Sequence, residues 1–210
     1  MQQAAKFWDN TAEKYAKSPI RDMDAYEYSL GRTRTYLKPD DRVLELGCGT
    51  GSTALLLAQN VVHITASDIS SKMIEIANGK AQEQGVSNVS FVTSEVTGDA
   101  IDNGPYDVVM ALNLLHLLKD LDGALARIGE QVKPGGFFIS KTVTKLGKGT
   151  PLKFRFLKLV LPLMQLVGMA PYVNFMSSGE IEGKIAAHGF KIIETGNYPA
   201  TSRYIVAEKM

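Results

Sequence analysis

Apolar and polar positions change rhythm along the chain, and those changes predict its elements. Ala4, Trp8, Ala12 and Tyr15 fall on one helical face, with Lys6, Asp9, Asn10, Glu13 and Lys14 between them, which predicts an amphipathic helix over 3–17. Ser18-Pro19 ends it, and a second helix over 22–37 runs up to the breaker Lys38-Pro39-Asp40-Asp41. Beyond the breaker the pattern becomes regular. Short apolar runs at 43–46, 63–67, 89–93, 106–112 and 136–142 read as strands, and helical stretches at 52–60, 70–84 and 120–132 separate them. Such alternation predicts parallel strands joined by right-handed crossovers. Ser70 is a natural N-cap, and Gly85 a natural stop, for the helix bearing Met73, Ile76, Ala77 and Ala81. Residues 151–168 are expected to be helical with a kink at Pro162, and 178–188 is a short helix before Gly189. Strands at 190–197 and 203–208 close the chain as a hairpin.

Composition narrows the function classes. A length of 210 residues with 45% apolar content suits one domain with a sizeable core. A formal charge of +1, with both signs mixed along the chain, gives no basic stripe of the kind nucleic-acid binders carry, so a small-molecule substrate is expected and no nucleic-acid partner. One cysteine rules out an internal disulfide, and the start Met1-Gln2-Gln3-Ala4-Ala5-Lys6 lacks a secretory apolar run, so a cytoplasmic protein is expected. The greasy stretch 157–173 is broken by Lys158, Pro162, Gln165 and Pro171, which excludes an integral membrane segment there. Lys153, Arg155 and Lys158 beside Leu152, Phe154, Phe156 and Leu157 leave peripheral membrane contact open, with a core or pocket-lining helix as the plainer reading. Oligomeric state is not readable from the chain.

The candidate chemistry begins where the first strand, Val43-Leu44-Glu45-Leu46, breaks into Gly47-Cys48-Gly49-Thr50-Gly51. Glycines there let backbone N–H groups meet a ligand directly, and the helix that follows opens with unpaired amides that favour an anionic group. Asp68, at the end of the second strand, stands where an acid grips ribose hydroxyls. Gly49, Gly51 and Ala54 also satisfy the G-x-G-x-x-G/A pattern of dinucleotide binders, so the loop alone does not choose a ligand. Glu45 shifts the balance, because a carboxylate at the loop mouth repels a diphosphate and tolerates an ammonium or a sulfonium. S-adenosylmethionine carries both cations.

At these residues the chain resembles the class I S-adenosylmethionine-dependent methyltransferases, and in layout the ubiquinone/menaquinone-biosynthesis type of small-molecule enzyme. The resemblance implies an α/β fold, a Rossmann-like three-layer sandwich whose seven-stranded, mostly parallel sheet has an antiparallel C-terminal strand. It implies one domain over 1–210, with a helical lid at 1–38 and an apolar substrate-side insert at 145–178. It implies a site in which Glu45, Gly47, Cys48, Gly49, Gly51 and Asp68 hold the cofactor, with Cys48 a small filler rather than a nucleophile. Ile69 and Met73 would flank adenine, Glu95 would accept its amino group, and the Val96 N–H would reach the ring. The backbone at Ala111 would accept from the methionine ammonium, and Asn113 would orient cofactor or acceptor. Tyr15 is the expected lid residue, and His116, just past the fourth strand, the first candidate for polarising or deprotonating the acceptor. His63 and His188 read as structural, and no pair has metal-ligand spacing.

The leading expectation is methyl transfer to a small, apolar acceptor by in-line displacement. Three alternatives stay open: a non-catalytic S-adenosylmethionine-binding module, a nucleic-acid methyltransferase, and an NAD-binding oxidoreductase. The nucleic-acid reading lacks its Asn/Asp-Pro-Pro-Tyr/Phe signature, Ala111-Leu112-Asn113-Leu114 standing in its place.

Overall fold

Val43, Leu44 and Leu46 expose no surface, so the strand they form, β1 (Arg42–Leu46), must lie inside a sheet covered on both faces. The computed structural model, described over residues 2–102, 104–144, 165 and 170–210, bears this out. β1 is flanked by β2 (His63–Asp68) on one side and β4 (Tyr106–Leu112) on the other, and β3 (Val89–Thr93) and β5 (Val132–Val143) extend the sheet outward in parallel. β6 (Phe190–Asn197) and β7 (Ser202–Lys209) complete the order β3-β2-β1-β4-β5-β7-β6. β7 inserts antiparallel between β5 and β6, as expected of the C-terminal strand.

The helices start and stop where local chemistry directs. In α2 (Met23–Arg34) Asp22 accepts the Ala25 N–H at 3.0 Å. In α4 (Ser71–Gln84) Ser70 accepts the Met73 N–H at 3.1 Å, and Gly85 closes the helix at a positive φ of 67°. In α5 (Leu121–Gln131) Asp120 accepts the Gly123 N–H, and α6 (Ser178–Ala187) opens with a reciprocal Ser177–Glu180 capping box. α1 (Gln2–Lys17) and α3 (Ser52–Leu57) complete the set of described helices.

Several boundaries differ from expectation. The helix expected over 22–37 ends at Arg34, because Thr35, Tyr36 and Leu37 donate to the carbonyls of Arg32, Thr33 and Arg34, the tighter three-residue spacing. The helix expected over 52–60 likewise tightens after Leu57 into a 3-10 turn, Ala58–Asn60. β5 starts at Val132, not 136. Lys133-Pro134-Gly135-Gly136 sits inside the strand as an irregularity, stitched to β4 by a 2.6 Å Lys133–Asp107 ion pair. Most of the insert expected at 145–178, including the helix expected at 151–168, lies outside the described residues. Of its apolar positions, Met176 is 5% exposed and belongs to the same buried layer as Leu115, Leu121 and Ile181.

Two apolar layers sandwich the sheet. One gathers Leu44, Leu46, Tyr106, Phe138 and Ile205 against α5 and α6. The other gathers Val43, Met110, Ile139 and Tyr204 against α2, α3 and α4. Among the described residues no helix is long and apolar enough to cross a membrane.

Candidate cofactor and acceptor site

The glycine loop leaves the C-terminal end of β1 and is held in a sharp elbow. Gly47, Gly49 and Gly51 all have positive φ, at 67°, 55° and 75°, a region that side chains resist. Space reinforces the choice. A Cβ on Gly51 would stand 2.7 Å from the Phe91 ring and 2.9 Å from Ala77, and one on Gly47 would meet Leu114 at 2.8 Å. Gly51 is thus where the loop packs onto β3 and α4, and Gly47 where it meets the exit of β4. Cys48 is buried with its N–H donating to the Ser67 carbonyl at 2.9 Å, and burial pushes its thiol well above the ordinary range, as suits a filler.

Asp68 connects the loop to β2. Its Oδ2 accepts the Gly49 N–H and its Oδ1 the Ser70 N–H, each at 2.9 Å, so each oxygen keeps lone-pair capacity for a further donor. Burial raises its pKa, against the lowering effect of those amides. Glu45 lies deeper, 2% exposed and on the α3 face of β1. Burial pushes its pKa up to about 8, opposed by the Ala54 backbone hydrogen bond and reinforced by Asp68. Its Oε2 is buried with no hydrogen-bond partner among the described residues. An orphaned acidic oxygen is costly and asks for a donor, and a cation meets that need best.

α1 packs beside this cleft. Tyr15, 52% exposed, stands so that a Cβ on Gly49 would lie 3.6 Å from its ring, and Trp8 meets it edge-on at 6.3 Å. Burial, then the charges of Asp68 and Glu45, raise the Tyr15 pKa. Sequence reasoning missed the latch that holds the helix there. Asp9 Oδ1 accepts from Ser70 Oγ at 2.7 Å and from the Lys72 N–H at 3.1 Å, clasping α1 to the start of α4. Lys80, also missed, braces the loop from behind by donating to Thr50 Oγ1 at 2.9 Å and Ser52 Oγ at 3.1 Å.

The remaining candidates are distributed around the same edge of the sheet. Ile69 is half-buried beside Asp68, whereas Met73 is 2% exposed and packed into the fold, which leaves it little free face for a ligand. Ser94, following β3, donates its N–H to the Asp68 carbonyl at 2.9 Å, which brings the half-buried Glu95 to this edge; Val96 packs against the core on the α5 face. Ala111 is fully buried, and Asn113 adopts a positive φ of 61°, its N–H donating to the Lys141 carbonyl at 2.6 Å. His116 lies in a 3-10 turn, Leu115–Leu117, with Nδ1 and the backbone N both 3.1 Å from Thr142 Oγ1. Burial pulls its pKa down to about 4, so the imidazole is neutral at physiological pH and only weakly basic. His188 is structural, its Nδ1 2.8 Å from the Lys184 carbonyl oxygen. Among the described residues no cluster could hold a metal.

The comparisons with known proteins agree with this geometry. Residues 43–136 match the family model of a methyltransferase domain. A ubiquinone biosynthesis O-methyltransferase of Azorhizobium caulinodans is 29% identical over 90% of this chain and 78% of its own length. The highly reducing polyketide synthase ACTTS3 of Alternaria alternata is 35% identical over 59% of this chain, which spans just 5% of that relative. A crystal structure of magnesium protoporphyrin IX methyltransferase from Synechocystis PCC 6803 with bound SAH has a TM-score of 0.73 at 21% identity, covering 98% of both chains, and shows a shared fold. Fold, elbow and matched domain together define a methyltransferase domain of the Rossmann-like type. The matched domain and these relatives support a class I S-adenosylmethionine-dependent methyltransferase, with S-adenosylmethionine as the cofactor.

Proposed function

We propose that the protein transfers a methyl group from S-adenosylmethionine to a small, apolar acceptor. The carrying observation is the buried, unpartnered Glu45 Oε2 in the same cleft as Asp68, beneath Tyr15 and the glycine elbow. These residues fit the cofactor: Glu45 and the Ala111 backbone suit an ammonium, and Asp68 suits vicinal hydroxyls. Ile69 and the Glu95–Val96 segment suit adenine, and the buried Met73 supports that wall from behind. When bound, the cofactor supplies a methyl group already activated on a sulfonium.

The chain's own residues then have three tasks. Tyr15 and α1 exclude water, Asn113 and the β4 exit orient the acceptor, and His116, neutral and tied to Thr142, can polarise it. Resemblance to the ubiquinone biosynthesis O-methyltransferases over most of their length supports a small acceptor. The proposal includes a single domain with 1–38 as lid and 145–178 as the acceptor-side insert, and a cytoplasmic location. The test is a mass-shift screen of a metabolite library with labelled S-adenosylmethionine. A transferred label on a small molecule is expected. Binding of S-adenosylhomocysteine with no transfer to any member would favour a non-catalytic module instead.

A further inference from the structure

Lys141 is a buried cation that the cofactor site does not use. It is 8% exposed on β5, and its Nζ donates to Ser29 Oγ at 3.0 Å. The Ser29 hydroxyl itself donates to the Ala25 carbonyl, so it can only accept from the lysine. Among the described residues Ser29 is the sole hydrogen-bond partner of Nζ, and no carboxylate lies within ion-pairing distance. Two of the three ammonium donors therefore have no partner among the described residues, which a buried charge tolerates poorly. Burial lowers its pKa, with the carboxylate of Asp22 opposing weakly.

Position says what the group faces. Lys141 pairs in register with Leu112, the last residue of β4, and with Tyr204 of β7. Glu45 pairs with Met110, which pairs with Ile139, two positions before Lys141. Side chains alternate along a strand, so Lys141, Ile139, Met110 and Glu45 share one face. Two strand spacings and two residues separate Lys141 from Glu45, roughly 12 Å between α-carbons. The lysine thus lies beyond Glu45 toward the C-terminal edge of the sheet, on the face that α2 covers.

We propose that Lys141 binds an oxyanion of the methyl acceptor, a carboxylate or ionised phenol, with its two unmet N–H donors. This rests on the methyltransferase reading and adds to it a charged handle on an otherwise apolar acceptor. A purely structural lysine, tying β5 to α2 through Ser29, is the rival account.

The experiment uses protein saturated with S-adenosylhomocysteine and a matched pair of probes, 4-hydroxybenzoate and 4-hydroxybenzamide, titrated by calorimetry. The wild-type protein should bind the anion on the order of tenfold tighter or more than the amide. Lys141→Met should level the pair while leaving S-adenosylhomocysteine affinity unchanged. Lys141→Gln, which keeps a donor for Ser29, serves if the methionine variant does not fold and should level the pair too. Equal affinities in the wild type, or a preference that survives both substitutions, would overturn the proposal. Failure of the wild type to bind S-adenosylhomocysteine would instead overturn the reading on which it rests.

Discussion

Glu45 carries opposite costs in the free and the loaded protein. A carboxyl whose pKa rises from the ordinary carboxylate range to about 8 on folding destabilises the free fold as pH rises through that window, because the folded form holds a proton that the unfolded form has released. Glu45→Gln should therefore raise the thermal midpoint by about 3 °C or more at pH 8, with little change at pH 4, while weakening S-adenosylhomocysteine binding. The same linkage predicts that ligand affinity climbs with pH up to about 8, because a cation needs the ionised acid. Calorimetry at pH 6.5 in two buffers of different ionisation enthalpy should find close to one proton released per ligand bound. A pH-independent affinity would mean that no cation reaches Glu45. For Asp68, replacement by Asn should cost about 2–4 kcal/mol of cofactor binding through lost charge-assisted hydrogen bonds.

Among the elements, α1 matters most for access, for it buries little beyond Ala12 and is held near the site by Asp9. Asp9→Ala should raise the S-adenosylhomocysteine dissociation rate on the order of tenfold and speed amide exchange across 2–17, with the melting temperature nearly unchanged. An unaltered dissociation rate would deny α1 its lid role. The helices themselves were legible, because caps are local: Ser70 and Gly85 announce α4 within fifteen residues of one another. The fraying of α2 was harder to read, since the tighter turns at 35–37 keep a helical pattern until Lys38 is forced extended by Pro39. The elbow and Asp68 were legible too, as glycine spacing and strand ends are written in short motifs. The Asp9 latch and the seat of Lys141 were not. Asp9 meets Ser70 across 61 positions, and Lys141 meets Ser29 across 112, and no periodicity encodes which polar side chains the fold will bring together.

For the molecule as a whole, the two apolar layers set the stability and a charged seam sets how α2 sits on the sheet edge. Arg32 grips Glu194 through two nitrogens while Tyr36 donates to the same carboxylate at 2.5 Å, pinning α2 to the edge strand β6. Phe138, fully buried at the centre of β5, should cost about 3–5 kcal/mol on truncation to Ala, much of a domain's total stability, as measured by denaturant unfolding. Arg32→Ala, at a partly exposed pair, should cost far less and act instead by loosening the roof above Lys141.

The late insertion of β7 has a consequence for biogenesis. β5 is translated some sixty residues before its neighbour Ser202–Lys209, yet one of its edges pairs with nothing else. A nascent chain halted on the ribosome before β7 emerges carries an open strand edge next to a solvent-facing Phe138 layer, and should be cut there by protease and bound by chaperones until the final segment slots in.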